Sequence, residues 1–206
     1  RFSMLRVARS KKILFLSKLI GLNNFLLLIF SVCSFADVEI EPNDEAAQVV
    51  MSGESIVGSL SSADDVDWYA IEVGGSGALG VSFETEENNY SYSFDLFIVN
   101  SEGDILASDS CSSQCDTTAN LVTAGLPSSG IYYVLVRSSS SSGAPSGSYT
   151  FSATYSDNTA NFELEPNNSK DTAQSLISGT GVAGGISLAS DQDLSLIHIS
   201  EPTRPY

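Results

Sequence analysis

Asp64-Asp65-Val66-Asp67-Trp68-Tyr69-Ala70-Ile71-Glu72-Val73 starts among carboxylates and runs on in period two, with Tyr69, Ile71 and Val73 on one face. Such alternation marks a half-buried strand and predicts one over Trp68 to Val73, with Asp64 and Asp67 at its opening. Upstream lies Glu39-Ile40-Glu41-Pro42-Asn43-Asp44. In an extended segment Glu39 and Glu41 share a face, and Pro42 biases Glu41 toward that extended form. Asn43 and Asp44 suit a turn or a helix N-cap ahead of Glu45. Glu39, Glu41, Asn43, Asp44, Asp64 and Asp67 thus offer up to six side-chain ligands. All are oxygens, and a set without nitrogen or sulfur selects calcium. A plain solvated acidic surface is the competing reading.

Recurrence favours a built site. Glu163-Leu164-Glu165-Pro166-Asn167-Asn168 repeats the first stretch, and Gly184 to Asp193 echoes Gly58 to Asp67. The second set of candidate metal ligands is therefore Glu163, Glu165, Asn167, Asn168 and Asp193. Ser190 stands where Asp64 does, which predicts a weaker second site. Aligning Glu39 with Glu163 gives a period of 124 residues, the length of a whole domain rather than of a solenoid unit.

Between the two stretches the pattern is all-β. Leu79, Val81 and Phe83 alternate, as do Phe94, Leu96 and Ile98, and again Tyr149, Phe151, Ala153 and Tyr155. Gly74 to Gly77, Asn100 to Asp104 and Pro127 to Gly130 punctuate these runs as turns. Tyr132 to Val136 is apolar on both faces and reads as a central strand. The expectation is an antiparallel, jelly-roll-like β-sandwich of about seven or eight strands, one complete domain plus the start of a second.

The chain has 206 residues, with 25 acidic and nine basic side chains and 42% hydrophobic content, enough for a real core. Six of the basic residues precede Gly21, and every acid lies at or after Asp37. Residues 1–36 read as a signal peptide: basic residues up to Lys18, an apolar run from Phe25 to Phe30, then Ser34-Phe35-Ala36 as a cleavage site. A membrane anchor is the alternative, but the apolar run is short for a spanning helix. Arg1 to Ser3 read as read-through ahead of Met4. Residues 194–206 resemble a translated sequencing-library adapter, and the only histidine, His198, falls within them. The expected organisation is thus a domain over 37–156, a linker over 157–162, a truncated second repeat over 163–193 and an artefactual tail.

From Asp37 to Asp193 there are 24 acids against only Arg137 and Lys170, a net charge of −22. Nucleic acid is excluded as a partner, because phosphate binding needs clustered Lys and Arg. Such charge repels itself, and divalent cations or high salt would relieve it.

The motifs also carry a family resemblance. The Glu39 to Asp44 opening, Gly58-Ser59-Leu60, Asp65-Val66-Asp67-Trp68-Tyr69, Gly130-Ile131-Tyr132-Tyr133-Val134-Leu135-Val136 and Gly147-Ser148-Tyr149-Thr150-Phe151 occur in this order. Together, from roughly Val38 to Tyr155, they resemble the bacterial pre-peptidase C-terminal domain, whose relatives include the collagen-binding domains of clostridial collagenases. The resemblance implies a β-sandwich with calcium at its amino-terminal segment, and it puts Glu39, Glu41, Asn43, Asp44, Asp64 and Asp67 at ligand positions. It also implies an appendage of secreted peptidases or other exoenzymes. Arg137 stands where the collagen-binding relatives place a key tyrosine, which argues against collagen.

Cys33 would leave with the signal, so Cys111 and Cys115 are expected to form one disulfide in an exported protein. Zinc is not expected, since no further cysteine or histidine lies in the mature region. Serines are many, but none has a histidine base outside the suspect tail, so no catalytic constellation is read. The sequence therefore points to a secreted, non-catalytic, calcium-stabilised module. Extracellular protein or polysaccharide and an attached exoenzyme domain are its expected partners, with no stable membrane insertion after cleavage; periplasm or cell surface are alternative places. Two other readings are kept: the amino-terminal part of a secreted peptidase, and a surface adhesin built of repeats. Tyr90 and Tyr92, in an acidic loop, are a candidate partner contact.

Overall fold

A computed structural model describes residues 36–85, 94–111, 120–139, 147–157 and 162–198. Ten strands in that span form two five-stranded sheets. They are β1 (Asp37–Val38), β2 (Gln48–Val49), β3 (Ser55–Gly58), β4 (Val66–Val73), β5 (Gly77–Thr85), β6 (Phe94–Val99), β7 (Ile105–Cys111), β8 (Asn120–Leu126), β9 (Gly130–Ser138) and β10 (Tyr149–Ser156). One sheet has the order β1-β3-β10-β5-β8 and the other β2-β4-β9-β6-β7. A separate parallel pair follows, β11 (Gln174–Leu176) with β12 (Ser195–Ile197).

The strands from β3 to β10 pair with one another only in antiparallel fashion, as the alternation predicts. The sheets are nevertheless mixed, because β1 runs parallel to β3 and β2 parallel to β4. The reason lies in the path of the chain. The segment through β1 and β2 crosses from one sheet to the other alongside the segment through β3 and β4, in the same direction, and adds one short strand to an edge of each sheet. Those strands are two residues long, too short to show any periodicity.

The core is the inward half of each alternation. Tyr69, Ile71 and Val73 on β4, Leu79, Val81 and Phe83 on β5, Phe94, Leu96 and Ile98 on β6, and Phe151 and Ala153 on β10 are all buried. Each large apolar side chain removed from water here contributes about 1.5–3 kcal/mol before the entropy cost of ordering it. β9 is the central strand of its sheet, as expected. Its Tyr132, Val134 and Val136 face the core, while Tyr133 on the other face packs edge-on to Trp68 with ring centroids 5.9 Å apart. Arg137 pairs with Asp95 at 3.1 Å and lies over the Phe97 ring at 4.8 Å, so this half-exposed cation is tied to its own sheet. No helix among the described residues is long and apolar enough to cross a membrane.

Candidate metal centre

The crossing segment between β1 and β2 folds back on itself through its own carboxylates. Glu39 continues beside β3, its N–H donating to the Val57 carbonyl at 3.0 Å. One Glu39 oxygen accepts from the Ser59 N–H at 2.8 Å, and the other accepts from Asn43 Nδ2 at 3.1 Å and Tyr69 Oη at 3.0 Å. Glu41 accepts from the Asn43 N–H at 3.1 Å, across a cis Glu41–Pro42 bond. Asp44 accepts from the Val66 N–H at 3.1 Å and so ties the turn to the start of β4. No helix follows Asp44; the N-cap expected there is replaced by this bond to a strand that begins 22 residues later.

Asp67 enters the same space from β4. Its place in the alternation is the inward one, shared with Tyr69 and Ile71, so its carboxylate is wholly buried. Tyr149 Oη donates to Asp67 Oδ2 at 2.5 Å and lies 2.6 Å from Tyr69 Oη. Glu39, Glu41 and Asp67 each offer an oxygen, and all three oxygens lie within 4.8 Å of one another. Ligands on opposite sides of a calcium ion stand about 5 Å apart at most, given Ca–O distances of about 2.3–2.6 Å, so one ion fits between them. Asn43 Oδ1 and Asp67 Oδ1 are buried with no hydrogen-bond partner among the described residues. An unpaired buried acceptor costs about 1–3 kcal/mol, and a cation among these groups is the partner their chemistry suits.

The electrostatics carry the same signature. Burial pushes the Asp67 carboxyl up to about 8, with the Glu39 charge adding to the rise and the Tyr149 hydrogen bond opposing it. Desolvation also raises Glu41, against the bond from the Asn43 N–H and with help from Glu39, Asp65 and Asp44. Both tyrosine hydroxyls are pushed above their ordinary value by burial, so they serve as donors.

Asp64 is not brought into this group. It is exposed, and its N–H donates to Ser62 Oγ at 3.2 Å. Asp65 is the buried neighbour: it accepts from the Ser61 N–H and lies against Asp44. Desolvation works to raise Asp65, but the hydrogen bonds from Ser61, Asp44 and Val66 outweigh it and hold the carboxyl below its ordinary value. Asp65, Tyr69 and Tyr149 were not among the residues expected at the site. The second repeat carried a signal for the first of these, since it keeps an aspartate at the Asp65 position, Asp191, and has Ser190 at the Asp64 position.

The second stretch rebuilds the main-chain and turn bonds of the first, without the two tyrosine hydroxyls, since Ser195 stands at the position of Tyr69. Glu163 donates to the Ala183 carbonyl at 2.9 Å and accepts from Gly185, Asn167 donates to Glu163 at 3.3 Å and to Glu165 at 3.0 Å, and Gln192 donates to Asn168 at 2.9 Å. Leu164 N–H reaches Gln174 at 3.0 Å as Ile40 N–H reaches Gln48 at 2.8 Å, and Ser187 N–H reaches Asp191 as Ser61 reaches Asp65. Glu165–Pro166 is also cis. Glu163, Glu165 and Asp193 form a second group within 4.8 Å. Ser190 in place of Asp64 removes nothing from that group, because Asp64 is not in the first one. Further differences are these: Asp193 is exposed where Asp67 is wholly buried. Asn167 Oδ1 is satisfied by the Leu194 N–H at 3.0 Å, and Glu165 is only 4% exposed where Glu41 is exposed. Burial, with Asp191, Glu163 and Asp193 nearby, pushes Glu165 up to about 7, and desolvation raises Glu163 as well.

The expected disulfide lies outside the described residues, as Cys115 and the Cys111 side chain do. So do Tyr90, Tyr92 and all but the last residue of the expected signal peptide.

Fold and site together define a small all-β module closed at its amino end by an acidic clasp. Residues 65–138 match the family model of the bacterial pre-peptidase C-terminal domain, which bears out the resemblance read from the motifs. No curated protein matches the chain. Among solved structures, the chain is similar to the pre-peptidase C-terminal domain of a Bacillus anthracis collagenase, at 19% identity over 52% of this chain and 94% of that one, with a TM-score of 0.39. It is also similar to PliG from Aeromonas hydrophila, a periplasmic inhibitor of g-type lysozyme, at 12% identity over 54% and 100%, with a TM-score of 0.37. A third is CsCBM6-3 from Clostridium stercorarium in complex with cellobiose, at 14% identity over 53% and 71%, with a TM-score of 0.26.

Proposed function

We propose that this chain is a secreted, non-catalytic β-sandwich module that binds calcium at its amino-terminal clasp and serves a larger exported protein as a binding or stabilising appendage. Glu39, Glu41 and Asp67 would hold the ion, with Asn43 Oδ1 as a neutral ligand. The observation that carries this reading is the pair of buried, unpartnered oxygens on Asn43 and Asp67 beside three converging carboxylates. Bound calcium would supply positive charge where these oxygens repel one another, fastening the crossing segment to β4. The net charge of −22 between Asp37 and Asp193 makes that relief felt beyond the clasp. The second clasp supports a tandem arrangement, in which 163–193 begins another module of the same kind.

The test is thermal unfolding of the chain with calcium and with chelator. Binding to the folded state alone adds RT ln(1 + [L]/Kd), about 2.7 kcal/mol at a hundredfold excess over Kd. A melting shift present in the parent and reduced by Asp67→Asn supports the proposal. No shift, or a shift that the variant leaves intact, would return these acids to solvated surface.

A further inference from the structure

We infer that β8, together with the neighbouring β7, is a docking surface whose occupant is the acidic clasp of the module that follows it in the chain. β8 closes one sheet and β7 the other, on the side opposite the sandwich's own clasp, which joins through β1 and β2. An edge strand leaves main-chain groups unpaired, and such groups are satisfied by another segment or left to water. Here the segment is the second clasp. The Glu165 N–H donates to the Gly125 carbonyl of β8 at 3.2 Å, Ser108 of β7 donates to the Ser187 carbonyl, and Ser187 Oγ lies 3.4 Å from the Ile105 carbonyl.

Gly125 admits this contact. Val122, Ala124 and Leu126 around it are buried, and at 125 itself a methyl group would overlap the carbonyl oxygen of Glu163, a backbone atom that cannot swing aside. No other residue type leaves room for the clasp at this distance.

The first clasp provides the comparison. Val38 and Ile40 are each 69% exposed, whereas Phe162 and Leu164, at the equivalent positions of the second clasp, are partly buried. At these positions the second clasp, which follows a β7–β8 surface, is thus less exposed than the first. Docking of clasp on preceding sandwich sets a head-to-tail contact that successive modules can repeat. The contact rests on protein atoms alone and goes beyond the calcium reading without depending on it.

The test is residue-resolved amide hydrogen exchange on the isotope-labelled chain, run both with calcium and with chelator. The Glu165 amide is expected to exchange roughly tenfold or more below its unprotected rate in at least one condition. Gly125→Val and Ser108→Arg should each return it toward the unprotected rate while leaving the Tyr69 and Val134 amides of the core ladder as they were. If Gly125→Val disturbs those core amides, Ser108→Arg alone decides. An unprotected Glu165 amide in the parent under both conditions overturns the inference. So does protection that survives Ser108→Arg. Because calcium binding is read from melting and docking from this amide, either proposal can fail without the other.

Discussion

Tyr149 Oη stands 2.5 Å from Asp67 Oδ2, and this bond joins β10 of one sheet to β4 of the other beneath the clasp. The other oxygen, Asp67 Oδ1, is buried with no hydrogen-bond partner among the described residues. Tyr149→Phe keeps the ring, which stacks on Phe83 at 5.2 Å, and removes only the hydroxyl. The buried carboxyl then loses its hydrogen bond, at a cost of about 1–3 kcal/mol in urea unfolding with chelator present. In calcium the loss should be smaller, because the ion would contact the same carboxyl. Equal losses in both conditions would separate Asp67 from the metal.

The pH response of the metal-free chain follows from the raised carboxyls. In the folded state Asp67 keeps its proton up to about pH 8, but once unfolded it ionises at the ordinary aspartate value near pH 4. Between those values the folded chain holds more protons than the unfolded one, so stability falls as pH rises through the window and levels off above it. Glu165, raised to about 7, and Glu41 and Glu163, raised by desolvation, act with the same sign. Melting in chelator should therefore be lower near pH 8 than near pH 5, and the rise produced by calcium should be larger near pH 8, where the ligands give up protons more readily. A calcium effect that is larger at the acid end contradicts this account.

The strands with period-two patterns were legible because inward side chains alternate along each one: Leu79, Val81 and Phe83 read as β5 without any other information. Asp67 was legible for the same reason, since counting back from Tyr69 places it on the inward face. Asp64 and Asp65 precede the strand, where loop geometry and not alternation decides which carboxylate turns inward; Asp65 is the buried one and Asp64 the exposed one. Tyr149 reads as part of a strand, but its bond to Asp67 spans 82 residues and depends on how two sheets pack. The parallel strands β1 and β2 were hidden by their two-residue length. Contact between the second clasp and β8 left only Gly125 as a trace, and a lone glycine in a strand has several readings.

Gly58 ends β3 directly below the two tyrosines. A methyl group there would lie 2.5 Å from the Tyr149 ring carbon and hydroxyl and 2.8 Å from Tyr69 Oη. Both side chains are fixed by the bonds to Asp67 and Glu39, so neither moves without breaking one. Gly58→Ala should destabilise the chain by about 1–3 kcal/mol, the usual cost of overpacking a filled site. Gly53→Ala is the control for a glycine with open space around it; its φ of 82° makes any loss there a backbone effect and not a clash. If Tyr149→Phe and Gly58→Ala are combined, their losses should fall short of additive, because both act on the same hydroxyl.

Asp64 and Asp65 are adjacent in sequence but differ in burial, and their alanine variants separate the site from its surroundings. Asp64→Ala removes an exposed carboxylate that lies outside the three-acid group, so its effect should stay within about 0.5 kcal/mol and leave the calcium shift in place. Asp65→Ala strips the Ser61 N–H of its acceptor and removes the carboxylate that lies against Asp44, loosening the turn that delivers Asp67. Its cost should be about 1–3 kcal/mol. Asp65 is held below its ordinary value, so its contribution has the opposite pH sense from that of Asp67: it is present above about pH 4 and is lost as the group protonates below that. Acid unfolding curves of the Asp65→Ala variant against the parent, recorded with chelator, test this sense directly. Asp65→Ala should flatten the acid limb; a limb that it leaves unchanged contradicts the placement of Asp65, and loss of the calcium shift in Asp64→Ala would return Asp64 to the centre of the clasp.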